Sequence, residues 1–147
     1  MTRTAPPLRR IGHVYRTFVR LADSELRDLG FAMSQLPVLI ALKKGDALTQ
    51  AELARIAKVE QPSMAQLLNR MERDGLVKRS PDPDDKRIRV ISLTAQANRL
   101  LPKARDLMDA LNVEALRGFS AVDVQTLDVL ISRIASNLDR VASEREE

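Results

Sequence analysis

Apolar residues recur at helical spacing over most of this chain. In residues 8–29 they fall at Ile11, Val14, Tyr15, Phe18, Leu21, Ala22 and Leu26, one stripe on a helix. Gly30 supplies the stop. A second helix is predicted over residues 33–43, with Leu36, Leu39, Ile40 and Leu42 inward, Ser34 as N-cap and Pro37 in its first turn, where a missing N–H is tolerated. Gly45-Asp46 closes it. Thr49-Gln50-Ala51-Glu52 then reads as a capping box, opening a short helix to about residue 57 with Leu53, Ala54 and Ile56 buried. A fourth helix begins near Gln61-Pro62, turns Met64, Leu67, Leu68 and Met71 inward, and ends at Gly75.

The pattern changes after Gly75. Residues 76–80 and 87–93 are rich in β-branched and basic residues, and Pro81-Asp82-Pro83-Asp84 between them is a turn cluster, so a hairpin is predicted. Helical spacing returns behind Thr94, an N-cap for a helix to about residue 117 with Ala97, Leu100, Leu101, Ala104, Leu107, Met108 and Leu111 on one stripe. Pro102 inside it should kink it. A last helix over residues 121–142 carries Val124, Leu127, Leu130, Ile131, Ile134, Leu138 and Val141. Residues 1–7, with Pro6-Pro7, read as a loose arm, and residues 143–147 as a fraying tail.

The resulting order is four helices, a hairpin and two helices. The fold class is mainly α with a small β-hairpin wing: a winged helix-turn-helix flanked by long N- and C-terminal dimerisation helices. Residues 1–30 form the arm and first dimerisation helix, 31–93 the winged helix-turn-helix, and 94–147 the C-terminal dimerisation helices, all in one compact chain. The terminal helices are longer than a small winged helix needs. Their stripes are most economically buried against a second copy, and a symmetric homodimer matches palindromic half-sites.

Composition narrows the picture. Apolar residues at 44% and charged residues at 30% describe a globular chain, while aromatics at 3% leave the core to aliphatic residues and Met. There is no cysteine, which excludes disulfides, thiolate metal sites and thiol redox switches. The single histidine, His13, has no metal-ligand cluster around it and no nucleophile and base to serve, so neither a cofactor nor an enzyme activity is expected. The basic start has no apolar run behind it, and the longest such run, Val38 to Leu42, is far short of the roughly 20 residues a membrane helix needs. A cytoplasmic protein without a membrane partner is expected.

The net charge of +4 is modest, but its placement is informative. Arg55, Lys58, Arg70, Arg73, Lys78, Arg79, Lys86, Arg87 and Arg89 all lie between residues 48 and 94. On the fourth helix the inward stripe leaves Ser63, Gln66, Asn69, Arg70 and Arg73 outward, and Gln61 at its start is a further DNA-binding candidate. Short polar residues near the start of such a helix suit base edges in a major groove, Gln66 as a bidentate partner of adenine; Asn69, Arg70 and Arg73 suit phosphates. Asp85, Lys86, Arg87 and Arg89 fall at the hairpin tip and its return strand, where Arg87 can enter a narrow minor groove and Asp85 can hold it or cap the turn. The bland alternatives are a solvated helix face and a local surface ion pair.

The motifs Leu48-Thr49-x-x-Glu52-Leu53-Ala54, Met71-Glu72-x-x-Gly75-Leu76-Val77-x-Arg79, Asp85-x-Arg87 and Leu93-Thr94 stand in register across this unit. In them the chain resembles the MarR family of bacterial transcriptional regulators. The resemblance departs at Ala32, where the family often has Thr or Ser capping the second helix, and at Ala97, where it often has Gly. It implies a homodimer that binds a double-stranded palindromic operator, usually as a repressor, and release by a small molecule, commonly an aromatic acid or phenol.

His13, Arg16 and Arg20 stand about one turn apart on the first helix. They read either as a ladder for a small aromatic carboxylate, with Tyr15, Phe31 and Met33 lining the same pocket, or as a solvated or dimer-interface face. Two other functions fit the sequence: a winged helix used for protein docking, which the outward basic and amide residues argue against, and a transcriptional activator without ligand control.

Overall fold

The computed structural model describes residues 6–43 and 45–146. The arm over residues 1–5 and the last tail residue lie outside the described residues. Contacts divide the chain into two units, Met1–Asp109 and Ala110–Glu147.

In the first unit, α1 (Pro7–Leu26) passes through a 3-10 turn (Arg27–Leu29) to Gly30, and a second 3-10 turn (Met33–Gln35) leads into α2 (Leu36–Leu42). Then come α3 (Gln50–Ala57), α4 (Gln61–Arg73), the antiparallel strands β1 (Val77–Pro81) and β2 (Arg89–Leu93), and the start of α5 (Ala95–Ala115). The core joins these elements. Leu26, Leu39, Leu42, Leu53, Met64, Leu68, Met71, Leu76 and Ile91 are fully buried, one or more from each of α1 to α4 and from the hairpin.

Several local expectations shift. Pro7 is not arm but the first residue of α1, where its fixed φ suits a helix start. Ser34 is exposed and does not cap α2. Ala32 opens that turn without a side-chain oxygen, and the free donors there are met from elsewhere: the Gln35 side chain accepts from Ala32 N–H at 2.9 Å, and Asp23 of α1 accepts from Met33 N–H at 2.7 Å. A carboxylate ten residues upstream thus does the work of a local cap and ties α1 to α2. Ile40 and Ile56, expected inside, are 56% and 55% exposed; Val38 takes the inward place in α2.

The helix-turn-helix is built as its sequence dictates. Thr49 accepts from Glu52 N–H, and Glu52 accepts from Thr49 N–H at 2.8 Å, which caps α3. Lys58 then turns the chain with φ 53°, the left-handed conformation that costs a non-glycine residue about 1 kcal/mol or more. At the end of α4, Gly75 at φ 75° lets Leu76 N–H reach Met71 O at 2.9 Å and its own N–H reach Glu72 O, a Schellman turn with both Leu76 and Met71 buried. Thr94 locks this corner. Its hydroxyl donates to Gly75 O at 2.6 Å and accepts from Ala97 N–H at the start of α5. Ala97 is fully buried beside it, so a methyl fits where the family often has Gly.

The hairpin pairs Val77 with Leu93 through Pro81 with Arg89. Leu48, just ahead of α3, adds an antiparallel bridge to Ile91, with N–H···O distances of 3.0 and 2.7 Å. This bridge fixes the base of the hairpin to the helix-turn-helix. The α5 helix runs through Pro102.

In the second unit, α6 (Ala121–Glu146) extends beyond the expected end near residue 142. Arg140 pairs with Glu144 at 2.9 Å and the Ser143 hydroxyl donates to Asp139 O, so the polar tail stays helical. At the other end Ser120 and Asp123 form a reciprocal cap. Bonds from the Ser120 backbone N–H and side chain hold the Asp123 carboxyl below its ordinary range. A lowered acid pKa means the cap is intact above the ordinary Asp range and weakens as pH falls through the lowered value. No residue of α6 is buried; Val124, Leu127, Leu130, Ile131 and Leu138 are all exposed.

Candidate nucleic-acid interface

The inner face of α4 is Met64, Leu68 and Met71, all fully buried. Helical geometry then fixes the outer face. Ser63, Gln66, Asn69, Arg70 and Arg73 are all exposed on it, the outward set expected from the sequence, while Gln61 is exposed at the helix start in line with the Met64–Leu68 stripe. The polar amides and hydroxyl sit toward the N-terminal end and the two arginines toward the C-terminal end.

The hairpin stands beside this helix and is tied to it. Arg79 of β1, half-buried, donates Nη1–H to Glu72 and Nη2–H to the Asn69 carbonyl oxygen, both at 2.9 Å. Asn69, expected only as an outward donor, is therefore also a strut: its oxygen holds Arg79 while its NH2 group stays available for an acceptor. Arg79 and Glu72 both stand in the motif that runs from Met71 to Arg79. The pairing becomes visible only when the strand returns against the helix.

The wing tip is organised by two carboxylates. Asp82 accepts from Asp84 N–H at 2.7 Å and from Asp85 N–H at 3.2 Å, closing the turn. Asp85, half-buried, accepts from both Arg87 N–H at 3.1 Å and Arg87 Nε–H at 3.2 Å. Its carboxylate thus both caps the turn and holds the guanidinium, whose side chain is 92% exposed. Lys86 and Arg89 are exposed on the same hairpin. Asp82 stands in the turn cluster read from the sequence, and the structure adds its role as the acceptor that closes the turn.

A second set of expected residues is not assembled as one pocket. Tyr15, Arg16 and Arg20 line a shallow groove along α1 together with Val19, Asp23 and Arg27. His13 is exposed on α1 outside that lining, and Met33 is half-buried outside it. Phe31 is 3% exposed and belongs to the core, so its ring is closed off from a ligand in the groove. A cavity of about 260 Å³ lies instead between α2 and α5, walled by Leu36, Ile40, Leu101, Ala104 and Met108, with Lys43 and Arg105 also lining it. Among the described residues no cluster of His, Cys, Asp or Glu is placed to hold a metal ion, and no helix is long and apolar enough to cross a membrane.

Helix-turn-helix, polar-faced second helix and basic hairpin, in this order and held by these bonds, define a winged helix. A profile of the MarR family matches residues 28–88. The chain is 26% identical over 133 residues to an uncharacterised HTH-type transcriptional regulator, YybA of Bacillus subtilis (strain 168), covering 90% of this chain and 89% of that one. A crystal structure of a mutant MarR from E. coli complexed with operator DNA superposes with TM-score 0.79 at 27% identity, over 88% of this chain and 94% of that chain. The crystal structure of the transcriptional regulator SlyA gives TM-score 0.80 at 25% identity, over 90% of this chain and 94% of that chain. In fold and in the matched segment, residues 28–88, the chain is similar to transcriptional regulators of the MarR family.

Proposed function

We propose that this protein binds a palindromic DNA duplex as a homodimer, acts as a repressor, and is released by a small aromatic or phenolic acid. The observation that carries the DNA reading is the juxtaposition of the exposed α4 face with Arg87 held out by Asp85 on the adjoining wing. Gln61, Ser63 and Gln66 serve base edges in the major groove. Asn69, Arg70 and Arg73 serve phosphates, with Lys86 and Arg89 along the wing, and Arg87 enters the minor groove. The operator complex of the similar E. coli MarR supports the same use of this fold. The homodimer rests on the unburied stripe of α6 and on the exposed Leu8, Ile11, Val14 and Leu21 of α1.

The effector reading is supported by the cavity between α2 and α5. Apolar walls suit an aromatic ring, and Lys43 and Arg105 suit a carboxylate. The α1 groove with Tyr15, Arg16 and Arg20 is the second seat, since it too joins an aromatic ring to cations. Release requires the ligand to favour an arrangement that cannot hold DNA; equal affinity for both states shifts nothing. A panel of aromatic acids titrated against the protein–duplex complex, followed by fluorescence anisotropy, is expected to yield one that dissociates it. The double variant Lys43→Ala/Arg105→Ala then needs at least about tenfold more of that acid, the scale of a lost charge-assisted contact, while its DNA affinity holds. If Arg16→Ala/Arg20→Ala has that phenotype instead, the seat is the α1 groove. If no acid acts, effector control by this class is wrong.

A further inference from the structure

Gln50 lies outside the outward face of α4 and outside the wing. It is the first residue of α3, half-buried, and Gln61 is the first residue of α4, exposed. Yet the Gln50 side-chain Nε2–H donates to Gln61 Oε1 at 3.2 Å, linking the first turns of the two helices across the helix-turn-helix. Neither amide fills the core, and an exposed amide would be satisfied by water at little cost. The bond's consequence is orientational: it restrains a long, flexible side chain at the end of the helix that enters the groove.

We propose that Gln50 is a specificity-determining positioning residue, and that Gln50 and Gln61 act as one unit that reads an adenine in the major groove. The inference rests on the duplex-binding reading above. Adenine presents an N6–H donor and an N7 acceptor side by side. Gln61 Oε1 has a second lone pair after taking the Gln50 N–H, and Gln61 Nε2 carries two donors, so the Gln61 amide can accept from N6–H and donate to N7 at once. Gln50 Nε2 keeps one N–H, which is directed to a backbone phosphate oxygen at the rim of the groove. The phosphate fixes Gln50, Gln50 fixes the plane of the Gln61 amide, and the base is read by a side chain already restrained in the free protein. Gln66, five residues further along α4, reads a different base pair.

The test uses the full-length protein. Wild type, Gln50→Ala, Gln50→Glu, Gln61→Ala and the double variant Gln50→Ala/Gln61→Ala each select duplexes from one randomised pool. Base preference at each position is then measured on the wild-type winner and on the same duplex with 7-deazaadenine at the Gln61 position. Gln61→Ala is expected to lose about 5- to 150-fold of discrimination at one position per half-site, the range of a bidentate base contact. Gln50→Ala loses most of that same preference at that same position, and the double variant loses no more than Gln61→Ala alone. Gln50→Glu, which cannot donate and faces the phosphate with a charge, loses at least as much as Gln50→Ala. Wild type is weakened by 7-deazaadenine, whereas Gln50→Ala is weakened less. All variants melt with the wild type, which separates readout from folding. A Gln50→Ala protein that keeps every base preference, or single losses that simply add, overturns the pair. A wild type that enriches no sequence overturns the duplex-binding reading and the pair with it, whereas enrichment by wild type with unchanged preferences in Gln50→Ala overturns the pair alone.

Discussion

Placing carboxylates in the apolar stripe of α6 is expected to convert the protein to a monomer and abolish tight operator binding. Val124, Leu127, Ile131, Ile134 and Leu138 recur at alternating spacings of three and four residues, the repeat of one helical seam. In the single chain none of them is buried. Each large apolar side chain that passes from exposure to full burial contributes roughly 1.5–3 kcal/mol. Seating two ionised carboxylates in that seam reverses the sign, since a buried unpaired charge costs several kcal/mol. Leu127→Glu/Ile131→Glu therefore raises the dimer dissociation constant by about a thousandfold or more. Both residues are exposed in the isolated chain, so the fold of the winged helix persists. Sedimentation and far-ultraviolet circular dichroism on the same sample check the two halves of this statement. Removing the chain from Ser120 onward should give the same loss of dimer. A truncated monomer that still bound a full palindrome tightly would contradict the architecture.

Arg87→Ala is expected to lower duplex affinity at least about tenfold while leaving thermal stability within roughly 0.5 kcal/mol of wild type. The asymmetry follows from geometry. The Arg87 side chain is almost wholly exposed, so its pair with Asp85 adds only about 0–1 kcal/mol to the fold. In a narrow minor groove the same guanidinium meets concentrated negative potential. Asp85→Ala should produce a smaller loss, because it frees Arg87 without removing its charge. Operator binding and thermal melting measured together decide the matter. Equal losses of stability and binding would make the wing tip a structural element instead.

Much of this molecule is legible in its sequence because its signals are local. The Thr49–Glu52 box, Gly75 at the end of α4, the turn cluster at residues 81–84 and Thr94 before α5 each act within a few residues, so their spacing can be read directly. The outer face of α4 follows from three buried residues and the helical period. What escaped depends on residues brought together by the fold. Asp23 caps the start of α2 from α1; Leu48 bridges to β2; Arg79 crosses from β1 to Asn69 and Glu72; Gln50 reaches Gln61. Periodicity also cannot say what an apolar stripe packs against. Ile40 and Ile56 share spacing with core residues and are exposed, and no residue of the α6 stripe is buried in one chain. The aromatic residues proposed for a ligand divided the same way: Tyr15 opens on the α1 groove, while Phe31 is sealed in the core.

The most direct test of the account is duplex binding across a salt series, with protein at concentrations that keep it dimeric. A palindrome selected from a randomised pool is titrated by fluorescence anisotropy from 50 to 200 mM salt, and stoichiometry is read at saturation. With about six to ten phosphates neutralised per dimer by Arg70, Arg73 and the wing cations, affinity should fall by roughly 10³–10⁵ over that range, with two chains per palindrome. Binding that is insensitive to salt, or one chain per palindrome, would contradict it.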